Sequence, residues 1–444
     1  METRLATLII FTIIAYLFWA DRKNNDEVSS AVWIPFFWMA IAGSRYVGQW
    51  LNLGPPQTIG ADAYLEGSPI DRNVFILLIL SGIFVLIKRS PKWGMIFKDN
   101  IWILSFFFFG LLSCLWADYS FVAFKRWFKS LGNLVMVLLI LSERRPHEAL
   151  GVILKRMAFL LLPLSVLFIK FYPELGRDFA YSGAPMYTGV GFQKNALGQL
   201  CLITGIYFAW NLLLSRRNDL FSGQKLGITI YIIIIPITLW LFYMARSATS
   251  LVCMVLATSI FLAGRMAPIR NRPQSIIILT ILSVIIFAIL EMTIGIKNSI
   301  IVMIGRRPDF TDRVYVWETY LSLVRNPIVG YGFDSFYDSI RGLVDEVHSA
   351  HNGYLEIYLN LGAIGVALII GCFLSGIKKA YHFIAVNYEA ALLNFSLIIV
   401  VALYSWTEAT LSGVNNIFLF LIFAVTTIPE IDQICIAPGT DSML

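Results

Sequence analysis

The sequence predicts an all-α polytopic membrane protein with about 11–13 transmembrane helices and one long outer loop that carries an amphipathic helix. Three observations predict it. Of 444 residues, 58% are hydrophobic and only 14% charged, with a mean hydropathy of +0.74, whereas soluble domains carry roughly 25% charged residues. Apolar runs near the length that a bilayer demands recur from end to end. Lys and Arg collect between those runs on alternate sides, as the positive-inside rule requires. A soluble enzyme, a disordered chain and a coiled coil are excluded together, because polar surface is too scarce and no heptad repeats.

A spanning helix needs about 20 mostly apolar residues. Such runs lie near 3–20, 31–53, 73–88, 101–116, 128–142, 157–171, 195–214, 227–244, 247–264, 274–296, 354–377, 391–406 and 413–429. The first is read as retained, since its flank Asp21-Arg22-Lys23 lacks the small residues of a signal-peptide cleavage site. With the loop after Lys88 set inside, six loops hold 18 of the 34 Lys and Arg. That orientation leaves the N-terminus and the segment 297–353 outside. The five cysteines form no CxxC pair, which supports neither a disulfide framework nor a zinc ribbon. The formal charge of +6 is scattered in short clusters, so topology and not nucleic acid explains it. No internal repeat or soluble boundary divides residues 1–444, and the chain reads as a single membrane domain.

The segment 297–353 departs from the lipid-facing pattern. It carries 6 basic and 7 acidic side chains in 57 residues. Phe310, Val314, Trp317, Leu321 and Val324 recur at helical spacing, so an amphipathic helix is expected to lie on the membrane surface. Asn326-Pro327 and Gly330-Tyr331-Gly332 then turn the chain. If the next helix begins near Ser349, then Asn352, Glu356 and Asn360 share one face, with His348 and His351 at its mouth. Helix-packing hydrogen bonds are the bland reading of that stripe. A titratable ring at the outer mouth of a polar stripe is a functional-site candidate. A zinc site at His348, His351 and Glu356 lacks a further strong ligand at helical spacing.

Several cations sit on the outer side against the charge bias: Arg246 between two spans, Arg45 near an outer end, and Lys194 beside Asn195. Each alone reads as an interfacial anchor that snorkels to headgroups. As a group they suggest a bound anion, and at that depth the phosphate of a lipid is the natural one.

The stretch His351-Asn352, then nine residues and Gly362-Ala-Ile-Gly365, resembles the signature of the bacterial O-antigen ligase and polysaccharide polymerase superfamily. The run Arg313-x-x-x-Trp317, Asn326-Pro327, Gly330-Tyr-Gly332 and Phe336 is similar to the same family's pattern. Gly191-Phe-Gln-Lys-Asn195 with Gly198, and Arg246-Ser247, resemble two further blocks. Arg246-Ser-Ala-Thr-Ser stands where ligases more often have Ser-Arg-Gly, which leans toward the polymerase branch.

The resemblance implies a membrane glycosyltransferase in the bacterial inner membrane, with its active site on the periplasmic side. The reaction would be inverting and independent of metal and cofactor. A glycan on undecaprenyl diphosphate would be the donor, and a sugar or lipid-linked hydroxyl the acceptor. His351 falls on the family's catalytic histidine, and Arg246 and Arg313 on arginines proposed to bind the donor diphosphate. Lys194 and Arg45 are expected to assist them, with Asn195, His348, Asn352 and Glu356 in support. Membrane lipids and other polysaccharide-assembly proteins are the remaining partners. Ligation to lipid A core instead of chain extension changes only the acceptor. A transporter or flippase would instead show ionisable residues near the midplane and inverted repeats.

Overall fold

The structure, a computed structural model, describes residues 2–22, 28–51, 68–179, 183–214, 225–294, 311–341, 343 and 349–428, with the side chains of 225–229, 284, 287–294 and 311–314 outside that set. His348 lies outside the described residues, and Arg313 is described only as backbone.

Every apolar run named above falls on a helix. The chain opens with α1 (Glu2–Arg22), α2 (Trp33–Ala42), the short α3 (Val47–Trp50) and α4 (Pro69–Arg89). Next come α5 (Trp93–Asp99), α6 (Ile101–Ser113), α7 (Ser120–Leu141), α8 (Pro146–Phe171) and α9 (Pro173–Gly176). A two-stranded antiparallel hairpin, β1 (Arg177–Phe179) and β2 (Pro185–Tyr187), leads into α10 (Lys194–Leu214). There follow α11 (Lys225–Ala245), α12 (Ala248–Arg265), α13 (Ala267–Asn271) and α14 (Ser275–Ile294). The described chain closes with α15 (Thr311–Ser322), α16 (Phe336–Ser339), α17 (Gly353–Phe383), α18 (Tyr388–Thr407) and α19 (Asn416–Val425).

Among the described residues, seven helices are long and apolar enough to cross a membrane, or eight if α5 and α6, bent by 91° to one another, form one span. That count covers the described residues alone, which leave out side chains of α11 and α14, and one of the shorter expected spans is of another kind. An apolar stretch marks burial, whether in lipid or in protein. The ten residues of α19 rise only about 15 Å, half of a hydrocarbon core of about 30 Å. All ten are buried by neighbouring helices. A helix that is apolar all round and enclosed this way belongs to the protein core. The start of α7 carries Lys125, Arg126 and Lys129, while its second half, from Gly132 to Leu141, is buried.

Polar contacts concentrate at two ends of the bundle. At one end Asp21 pairs with Lys155 at 2.6 Å and Arg156 at 2.9 Å, and Arg89 pairs with Glu143. Lys379 Nζ donates there to Asn100 Oδ1 at 2.8 Å. These contacts join the loops that the Lys and Arg count places inside. At the other end Arg126 pairs with Asp338, Ser412 Oγ donates to Asp334 at 3.0 Å, and Asn195 Nδ2 donates to Glu408 at 2.7 Å. Those join the loops placed outside.

Helix α17 is opened at Gly362, whose φ of 62° and ψ of −163° interrupt the helical run. The loop before α16 docks into the opening. Tyr331 N–H donates to the Leu359 carbonyl at 3.2 Å and Gly332 N–H to the Asn360 carbonyl at 2.8 Å. In the other direction Ala363 N–H donates to Pro327 at 2.8 Å and Ile364 N–H to Ile328 at 3.2 Å. The helical partners that the break separates are therefore satisfied by the loop, as buried backbone groups must be. A Cβ on Gly362 would come within 2.2 Å of the Ile328 carbonyl oxygen, and one on Gly330 within 2.5 Å of the Asn360 backbone. This explains why the loop and the helix both carry glycine where they touch.

The amphipathic helix exists as α15, but its inward face is rotated from the expected stripe. Tyr320 is 2% exposed and packs with Tyr331, Phe336, Ile340, Ala350 and Leu359, whereas Leu321 is 48% exposed. The apolar side of α15 packs on the protein's own loop and on the start of α17.

Candidate functional site

His351 sits one residue before the cap of α17. Asn352 is that cap, its Oδ1 accepting from Tyr354 N at 3.0 Å and Leu355 N at 3.1 Å. His351 has a φ of 47°, in the left-handed region that costs most residues energy but is tolerated more often by His than by bulkier types. The conformation is pinned from several sides. Ser349 Oγ accepts from His351 N at 3.2 Å, and Trp317 Nε1 donates to the Ala350 carbonyl at 2.8 Å. Ala350 N lies 2.9 Å from Tyr337 Oη and 3.2 Å from Glu356 Oε1, and Tyr337 Oη donates to the same carboxylate.

The stripe of Asn352, Glu356 and Asn360 is therefore a brace. Asn360 Oδ1 accepts from Ser335 N at 2.8 Å and Phe336 N at 3.0 Å. Burial pushes the Tyr337 hydroxyl pKa upward, with the Glu356 charge adding to the shift, so this phenol remains a donor to Glu356. The ring of His351 alone of this group points outward, its side chain 36% exposed.

His351 Nδ1 faces Glu408 Oε2 at 3.5 Å. Glu408, just past the end of α18 and 11% exposed at its side chain, receives Asn195 Nδ2 on its other oxygen at 2.7 Å. Three loops that are distant in sequence thus converge. Reading of the sequence missed Glu408, because an isolated Glu in a short hop has no periodic partner to mark it.

Arg246 lies at the turn between α11 and α12 with a φ of 48°. Its side chain is exposed and, among the described residues, has no hydrogen bond or ion pair. Its segment is brought toward Glu408 by two contacts. Thr249 Oγ1 lies 2.8 Å from Thr407 Oγ1. Gly198 lets α10 close on α12, since a Cβ there would meet Ser247 Cβ at 2.6 Å. Lys194 is exposed at the start of α10.

Arg45, expected among the cations that bind an anion, makes contacts within the protein. Its guanidinium donates to the carbonyls of Leu175 and, at 3.3 Å, Gly191, and its Cζ lies 5.9 Å from the centre of the Trp50 ring. It holds the segment leading into α10, which positions Asn195. A second cluster lies beside the site. Asp334 is half-buried between Ser412 and the Arg126–Asp338 pair. Its carboxyl is pushed above the usual range by burial, with Arg126, Ser412 and Lys129 pulling back.

The fold and these contacts define a polytopic helical membrane protein with braced polar side chains gathered at one end of its bundle. Residues 232–370 match the family model described as O-antigen ligase. The match spans Arg246, Arg313, His351 and the Gly362–Gly365 block, and supports a general O-antigen ligase or polymerase function. No curated protein matches the chain.

Proposed function

We propose that the protein is a bacterial inner-membrane glycosyltransferase, a polysaccharide polymerase or ligase. It transfers a glycan from undecaprenyl diphosphate to a sugar hydroxyl on the periplasmic face. The observation that carries this reading is the exposed ring of His351, fixed by a braced backbone at the end of the bundle where Arg246 is exposed. The ring, in its neutral form, takes the proton of the acceptor hydroxyl as that oxygen attacks the anomeric carbon. General-base help of this kind contributes about 10²–10⁴-fold. The bond to the diphosphate breaks with inversion, and the leaving group departs with the electron pair. Arg246 and Arg313 meet the charge that develops there, with Lys194 adding to the field. Pre-placed guanidinium groups lower such a barrier electrostatically, without a metal ion.

The departure from the ligase pattern after Arg246 favours chain extension over transfer to lipid A core. The test uses purified protein and the polyprenyl-diphosphate-linked glycan that accumulates in a strain lacking it. His351→Ala should fold and insert but lose transfer, and EDTA should leave the wild type active. Robust transfer by His351→Ala would refute the general-base role. Longer glycan chains identify a polymerase, and glycan joined to lipid A core identifies a ligase.

A further inference from the structure

We infer that Glu408 is a positioning residue that sets the tautomer of His351, and that Asn195 locks Glu408 for this task; the inference rests on the general-base reading of His351. A neutral imidazole carries one proton on two nitrogens, and a general base must present the bare nitrogen to its substrate. Which nitrogen is bare depends on the partner of the other one. Here Nδ1 faces a carboxylate oxygen at 3.5 Å, and a carboxylate can only accept. The proton is therefore held on Nδ1, and Nε2 has no partner among the described residues. The separation is at the long end for a hydrogen bond, as resting catalytic contacts often are before substrate tightens them.

Glu408 is itself held. Its Oε1 receives the Asn195 amide at 2.7 Å, and its backbone N–H donates to Tyr404 at 3.1 Å. With one oxygen anchored, the other has little freedom but to face His351. During transfer the acceptor O–H bond breaks and an Nε2–H bond forms. The oxygen bonds to the anomeric carbon as the diphosphate leaves. The imidazolium so formed faces the Glu408 carboxylate, which stabilises it and is not itself protonated. The proton then passes from Nε2 to water, restoring the ring. A lone structural role for Glu408, fastening α10 to α18, would explain the Asn195 contact but not the oxygen turned to Nδ1.

The experiment is a double-mutant cycle in the purified full-length protein, with the accumulated lipid-linked glycan as donor. Glu408→Gln keeps the shape and the Asn195 partner but offers an N–H to the ring and loses the charge. It should lower kcat on the order of 10²-fold, with the donor KM within about three-fold. Because Glu408 acts through His351, adding Glu408→Gln to His351→Ala should cost nothing further. A Glu408→Gln protein with wild-type kcat, alongside an inactive His351→Ala, would overturn the positioning role and leave the general base standing. An equal further loss in the double variant would also overturn it, marking a structural effect. An active His351→Ala removes the general base and this inference together. If Glu408→Gln fails to fold, Asn195→Ala completes the same cycle: a smaller kcat loss that vanishes in the His351→Ala background supports the lock, and an additive loss refutes it.

Discussion

Ala363 donates its backbone N–H to the Pro327 carbonyl at 2.8 Å, although a continuous helix would direct it to Leu359. The exchange depends on Gly362, whose φ of 62° and close approach to Ile328 leave no room for a side chain. Gly362→Ala should therefore destabilise the protein by about 1–3 kcal/mol from the backbone conformation alone, with the clash adding to it. Gly94→Ala, at a helical glycine with nothing within 4 Å of the added carbon, should be neutral or mildly stabilising. Thermal unfolding in detergent compares them, and equal melting of the two variants would refute the constraint.

Arg246→Lys keeps the charge and loses the planar fork that grips phosphate with two bonds. Its turnover with lipid-linked donor should fall on the order of 10²-fold, at unchanged protein level. The exposed position of Arg246 means that folding should be unaffected. Full activity in the Lys variant would make Arg246 a membrane anchor.

Asp334 supplies a pH signature. Burial raises its carboxyl above the usual 3.8, so the folded state holds the proton more tightly than the unfolded chain. Its contribution to stability is complete below the unfolded value and is lost as pH rises through the folded one. Asp334→Asn retains an acceptor for Ser412 and has no charge to bury. The melting temperature of the variant minus that of the wild type should grow from pH of about 4 upward. A difference that shrinks with rising pH would contradict the assignment.

Orientation is tested with single cysteines in a Cys435→Ser background, the other native cysteines, Cys114, Cys201, Cys253 and Cys372, being buried. Ser120→Cys, exposed at the end where Asp338 and Glu408 lie, should react with a membrane-impermeant thiol reagent in intact cells. Asn271→Cys, exposed after α12, should react only once the membrane is opened. The reverse pattern would invert the topology and place the His351 end in the cytoplasm.

Much of the fold was legible because helices that avoid water leave long apolar runs, and each such run became a helix. What the runs do not record is whether lipid or protein covers them, so the wholly buried Asn416–Val425 looked like a span. His351 and Arg246 stood out as polar residues at the edges of apolar helices. Glu408 did not, since its meaning comes from a contact with a residue 57 positions earlier. For Arg45 the sequence shows a cation against the charge bias but not the carbonyls of Leu175 and Gly191 that receive it. The rotated face of α15 follows from Tyr320, whose ring fits the aromatic cluster around Phe336 better than Leu321 would.

The enclosed helix Asn416–Val425 bears on how the protein is made. With ten residues it is shorter than the segments of about 20 that span a bilayer, so it is expected to enter by docking into helices already in place. Docking is also what completes its neighbours. Asn133 Nδ2 donates to the Gly413 carbonyl at 2.7 Å, and Asn100 exchanges two hydrogen bonds with the backbone of Thr427. Before this helix arrives, Asn133 Nδ2 lacks that acceptor, in a medium where an unmet polar group costs several kcal/mol, while Asn100 keeps only its contacts to Ile96 and Lys379. A lesion in that helix would therefore be expected to act on assembly of the bundle while leaving every residue around His351 in place.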